Sequence, residues 1–122
     1  MQRLTLGIDT SCYTTSVACA DDKSIVFEKR TMLSVPFGNR GLRRSEGLFQ
    51  HVKQLSPLLC ELFQSVDPKE IASVAVSASP TAKDDSYMPV FLAGFKQAET
   101  LAAALCVPLV RVEIGRASCR ER

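Results

Sequence analysis

The stretch Leu6-Gly7-Ile8-Asp9-Thr10-Ser11-Cys12-Tyr13-Thr14-Thr15-Ser16-Val17-Ala18 holds the residue types and spacing best suited to chemistry. An apolar run ends in a carboxylate, Asp9, and a short segment of hydroxyl side chains follows. Successive backbone N–H groups in a tight turn form a concavity that binds anions. Thr10, Ser11, Thr14 and Thr15 add hydroxyl donors to such a turn. Asp9 can hold a hydrated cation, or polarise a water beside a phosphate, without touching the anion itself. Asp9, Thr10, Ser11, Cys12, Thr14 and Thr15 are therefore the candidate nucleotide- or phosphate-binding residues, and no catalytic side chain is singled out. Gly7 leaves room for another backbone to pass close by. A Ser/Thr-rich hairpin with no ligand has the same composition, so the place of the turn in the fold decides between the two readings.

The elements that position this turn follow from periodicity. Arg3–Asp9 reads as a buried strand, Ser16–Ala20 as a returning strand after the turn, and Ser24–Leu33 as a third, with Asp21-Asp22-Lys23 between the last two. Pro36, Gly38, Asn39 and Gly41 mark Val35–Gly41 as a loop. Leu48, Val52, Leu55, Leu59 and Leu62 then fall on one face of an amphipathic helix, which Pro57 must kink or restart with Ser56 as cap. Asp67-Pro68-Lys69-Glu70 has the form of a capped short turn leading into a buried strand, Ile71–Ser77. Ser79–Ser86 is a loop, and Pro89 opens a helix to about Leu105 that is apolar nearly all round. Gly94 in its middle costs about 1 kcal/mol against Ala, and the usual return is close approach to a neighbouring backbone. Leu109–Val112 is the last strand. The fold class is thus α/β. The β-β-β-α-β-α-β order is that of the lobe repeated in the actin-like ATPase (ribonuclease H-like) superfamily, one lobe of two.

Bulk composition fits this reading. The chain has 122 residues, enough for one sizeable core, with 46% hydrophobic and 23% charged residues. A net charge of +2 lacks the clustered basic excess of a dedicated nucleic-acid binder, and no DNA partner is expected. Five cysteines without CxxC spacing and one histidine, His51, argue against a structural zinc site. No apolar run reaches the ~20 residues of a membrane span, and nothing near the N-terminus reads as a signal peptide. The expected location is the cytoplasm, with reduced thiols.

LGIDTSCYTTSVA resembles the opening LGIETSCDETGVA of the tRNA N6-threonylcarbamoyladenosine transferase family, formerly called glycoprotein endopeptidases. The likeness continues through Gln50-His51-Val52-Lys53 with Pro57-Leu58, through Ile71–Ser77, and through Ala102–Leu109, covering residues 1 to 112. It implies the N-terminal lobe of an enzyme that passes threonylcarbamoyl from threonylcarbamoyl-AMP to N6 of adenosine in tRNA. It also implies tRNA and the other subunits of a threonylcarbamoyl-transfer complex as partners, with no membrane. For the full-length protein the resemblance implies an adenylate or ATP ligand and a divalent metal, iron or zinc. The family's metal-binding H-x-E-G-H run is absent from this chain, so the chain alone is expected to bind none of these cofactors and to be inactive.

Two departures stand out. Tyr13 and Thr14 replace the family's acidic pair, and Ala78-Ser79-Pro80-Thr81 with Asp84–Pro89 replaces its G-P-G loop. They open an alternative, a non-catalytic paralogue that serves as a partner or scaffold in the same tRNA-modification complex. A small-molecule kinase of the same superfamily is a weaker third reading, because the lobe carries no early sugar-binding segment. Glu113–Arg122, EIGRASCRER, resembles the translation of a sequencing adapter and is read as a non-native tail.

The remaining polar residues have bland readings beside functional ones. His51 is expected to be a hydrogen-bonded packing residue. Asp84 and Asp85 are expected to be solvated loop acids, although a cation near a cleft would suit them. Arg40, Arg43 and Arg44 are expected to form a solvated surface, although they oppose the dipole of the helix they begin and so hint at an anionic neighbour such as tRNA phosphate or an acidic partner. Cys19, Cys60 and Cys106 are expected to pack as small hydrophobes.

Overall fold

A computed structural model of the chain describes residues 3–11, 13–35, 44–78 and 90–113. The expectations for Cys12, Arg40, Arg43, Asp84, Asp85 and residues 114–122 lie outside these. Element order follows the sequence reading: β1 (Leu4–Asp9), β2 (Thr14–Ala20), β3 (Ile25–Met32), α1 (Arg44–Ser65), a 3-10 turn (Pro68–Glu70), β4 (Ile71–Ala78), α2 (Val90–Leu105) and β5 (Leu109–Glu113). The last strand takes in Glu113, one residue beyond the expected end.

The strands form one sheet in the order β3-β2-β1-β4-β5. β1, β2 and β3 are an antiparallel meander, while β1, β4 and β5 run parallel. The β2–β3 turn closes on Asp21, whose Oδ1 accepts from the Lys23 and Ser24 N–H groups at 2.8 and 2.7 Å. Those N–H donors hold the Asp21 carboxyl below its usual range. The short turn before β4 is capped as expected, with Asp67 Oδ1 accepting from Lys69 N–H at 2.9 Å.

Alternation decides which face is covered. Leu4, Leu6 and Ile8 of β1, Val17 and Cys19 of β2, and Val74 and Val76 of β4 join Leu55, Leu59 and Leu62 of α1 and Ala98 and Ala102 of α2 in one buried core. Both helices therefore lie on one side of the sheet. Among the described residues no helix covers the other side, which carries Gly7, Asp9, Ser16, Ala18, Ala75 and Ser77. No helix in the described residues is long and apolar enough to cross a membrane.

Helix α1 narrows one expectation and corrects another. It runs unbroken through Pro57, so of the two readings there the restart with Ser56 as cap does not occur. Pro57 faces solvent, where the carbonyl its ring cannot serve is open to hydration. The helix is also rotated from the expected face. His51 is fully buried, whereas Val52 is 56% exposed. Gly47, His51, Leu55 and Leu59, spaced by four, make the stripe against the sheet. A histidine holds the inward position because a buried hydroxyl partners its ring.

The cysteines also divide differently from expectation. Cys19 is buried, but Cys60 and Cys106 are exposed. Burial pushes the Cys19 thiol up from 9.0, so the stability it confers is complete below that pH and is lost as pH rises above it. Cys106 instead ends α2 in the left-handed region, at φ 58°. Its N–H donates to the Ala103 carbonyl at 3.2 Å, and Val107 N–H donates to Ala102 at 3.0 Å. This paired closure of a helix C-terminus usually takes glycine, since a Cβ at positive φ costs about 1–2 kcal/mol. Glycine's greater unfolded-state freedom takes back part of that. Cys106→Gly is expected to raise unfolding free energy by about 0.5–1 kcal/mol in urea denaturation, with an unchanged slope.

Candidate functional site

β1 delivers Asp9 to the carboxyl end of the parallel strands, on the uncovered face of the sheet. Its Oδ1 accepts two hydrogen bonds, from Ser11 N–H at 2.8 Å and from the Ser77 hydroxyl at 2.8 Å. The first closes a local turn and the second crosses from β4. Asp9 pairs with Ser16 of β2, and Ser77 pairs with Val112 of β5. One row across the sheet therefore reads Ser16, Asp9, Ser77, Val112. The row beneath it reads Ala18, Gly7, Ala75, Val110. Gly7, Ala18 and Ala75, with Val112 at one side, floor a shallow groove of about 280 Å³, with Asp9, Ser16 and Ser77 as its polar groups. A Cβ at Gly7 would meet only the Ala18 carbonyl oxygen, at an ordinary 3.9 Å. Gly7 therefore keeps the floor low rather than admitting a neighbouring backbone.

The flanking hydroxyls point elsewhere. Thr10 and Thr15 are fully buried. The Thr10 hydroxyl donates to the Val90 carbonyl at 2.7 Å and accepts from Gly94 N–H at 3.2 Å. It is inserted in the first turn of α2, between a carbonyl and the amide four residues on that would ordinarily pair with it. Gly94 makes this possible, because a Cβ there would stand 2.9 Å from Thr10 Oγ1 and 3.1 Å from Ile8 Cγ2. This is the close approach expected of Gly94. The Thr15 hydroxyl donates to Gln54 Oε1 at 3.0 Å and lies 2.7 Å from His51 Nδ1. With its one proton spent on Gln54, Thr15 can only accept from His51, which fixes the proton on Nδ1. Thr10 and Thr15 thus fasten the turn to α2 and α1, and the expectation that both offer hydroxyls to a ligand is corrected. Ser11 is buried with its amide on Asp9, Thr14 is half-buried, and Tyr13 is exposed.

Ser77 and Ser16 are the site residues that sequence reasoning missed. Only the strand register brings them beside Asp9. Among the described residues no group of three or more His, Cys, Asp or Glu side chains could hold a metal ion. A second groove, about 540 Å³, lies between β3 and α1 along Thr31, Ser34, Phe49, Lys53 and Pro57. Gln50 is tied there to the Ser34 backbone by two bonds, of 2.7 and 2.9 Å.

No family model matches the chain. Among curated proteins it is 30% identical over 119 residues to the tRNA N6-adenosine threonylcarbamoyltransferase of Carboxydothermus hydrogenoformans, covering 92% of this chain and 33% of that protein. It is 33% identical over 109 residues to the protein of the same name from Thermotoga neapolitana, covering 88% of this chain and 32% of the relative. The chain spans about a third of the length of these relatives. Among solved structures it is similar to YeaZ from Pseudomonas aeruginosa, with a TM-score of 0.67 at 18% identity, over 92% of this chain and 43% of that one. The resemblance to the threonylcarbamoyltransferases thus extends over nearly all of the chain, and the lobe has the actin-like, ribonuclease H-like fold.

Proposed function

We propose that this chain is the nucleotide-binding lobe of a tRNA-modification protein of the N6-adenosine threonylcarbamoyltransferase type. In this reading Asp9, Thr10, Ser11, Cys12, Thr14 and Thr15 form the phosphate turn. Asp9 holds the hydrated cation of an adenylate or ATP, the turn backbone meets its phosphate oxygens, and Thr10 and Thr15 keep the turn in place. The observation that carries the reading is the convergence of the Asp9 carboxylate with Ser11 N–H and the Ser77 hydroxyl on the uncovered sheet face. Open α/β sheets bind ligands at the carboxyl ends of their parallel strands. In the longer protein a second lobe would close over this face, a divalent metal would be held by residues outside the described ones, and tRNA and partner subunits would complete a cytoplasmic complex.

Tyr13 and Thr14 stand where the relatives' motif has its acidic pair, which favours a second reading: a non-catalytic partner in the same complex. Nucleoside mass spectrometry of tRNA, from a host lacking its own transferase, separates the two. Restored threonylcarbamoyladenosine with a longer gene carrying this lobe, abolished by Asp9→Ala, is the enzyme result. No restoration, together with capture of the host's own transferase complex, is the partner result. The 122-residue chain alone is expected to give background modification, and measurable product from it would contradict the two-lobe reading.

A further inference from the structure

We infer that Ser77, on a strand outside the phosphate turn, is a positioning residue of the nucleotide site and sets the orientation in which Asp9 meets its ligand. The inference rests on the phosphate reading above and adds to it a residue 68 positions away in sequence. Three observations carry it. Ser77 is only 6% exposed, although it lies on the face opposite the hydrophobic core. Its hydroxyl donates to Oδ1 of Asp9 at 2.8 Å, the same oxygen that accepts Ser11 N–H. Two donors on one oxygen fix the rotation of a carboxylate that a single bond would leave free to turn. Finally, Ile8 pairs with Val76 in the parallel β1–β4 ladder, so Asp9 and Ser77 emerge side by side at the strand ends. The turn alone supplies one of the two restraints, and β4 supplies the other.

A hydrated cation binds a carboxylate through geometry as well as charge, so a carboxylate that turns freely should bind more weakly. A hydrogen bond to a charged group is worth enough for loss of the Ser77 hydroxyl to weaken magnesium–ATP binding about tenfold. The test is an NMR titration of a longer protein carrying this lobe with magnesium–ATP, following the amides of residues 7–15. The wild type is expected to show saturable shifts there. Ser77→Ala should weaken binding about tenfold with the remaining amide spectrum unchanged, and Ser77→Thr, which keeps the hydroxyl, should stay within about twofold of wild type. In an Asp9→Ala background Ser77→Ala should have no further effect, because the residue acts only through the carboxylate. Asp9-dependent binding that Ser77→Ala leaves intact, or effects that simply add, would overturn this inference while sparing the phosphate reading. Absence of shifts in the wild type, or shifts indifferent to Asp9→Ala, would overturn the phosphate reading and this inference with it.

Discussion

Gly94→Ala is expected to lower stability by about 2 kcal/mol, although alanine is the better helix former. In an exposed helix interior the exchange gains about 1 kcal/mol. Here the new Cβ would lie 2.9 Å from Thr10 Oγ1 and 3.1 Å from Ile8 Cγ2. Neither atom can swing aside. Ile8 is packed in the core, and Thr10 is held at both ends by Val90 and Gly94. Overpacking at such a site costs about 1–3 kcal/mol, and displacing Thr10 also breaks its two hydrogen bonds to α2. Thermal unfolding should fall by about 10 °C. Thr10→Ala removes the obstructing atoms and lets the Val90 carbonyl meet Gly94 N–H directly, so Gly94→Ala should cost at least about 1 kcal/mol less in that background. A neutral or stabilising Gly94→Ala would mean that α2 does not approach β1 this closely.

Thr15→Val tests the second fastening. Valine matches threonine in shape and suits a strand, so packing and propensity change little. What disappears is the acceptor for His51 Nδ1 and the donor to Gln54. His51 is fully buried, and leaving its ring N–H without this partner costs about 2 kcal/mol. In a His51→Leu background no ring N–H is left for Thr15 to satisfy, so Thr15→Val should cost far less there than in the wild type. Urea denaturation of the two single variants and the pair measures this. A smaller cost in that background is the signature of the bond, whereas costs that add would contradict it.

These two residues also mark how far the sequence could be read. The strand order and the helices were legible because alternation in β1 and β2 and the leucine spacing of α1 each leave a periodic trace. The direction of TSCYTT was not. A run of small hydroxyls reads as a polar turn, yet Thr10 and Thr15 face inward because their partners lie 80 and 36 residues away. The rotation of α1 was hidden for a related reason. His51 counts as polar and Val52 as apolar, and only the buried hydroxyl on β2 makes the histidine the better inward residue. Nothing in IASVAVSA separates Ser77 from Ser73. Ser73 bonds Thr5 at an exposed position, while Ser77 meets Asp9, and the register alone assigns them. Cys106 looked like a helix-end hydrophobe, and its backbone geometry follows from how α2 must turn into β5.

Nucleotide binding at the turn after β1 is tested most directly by a crystal structure of a longer protein carrying this lobe with magnesium–ADP. The phosphates should lie on the uncovered sheet face, at the turn that follows Asp9, with the cation's water shell on Asp9 beside Ser77. A nucleotide seated instead in the larger groove between β3 and α1, along Thr31, Phe49 and Lys53, would contradict it.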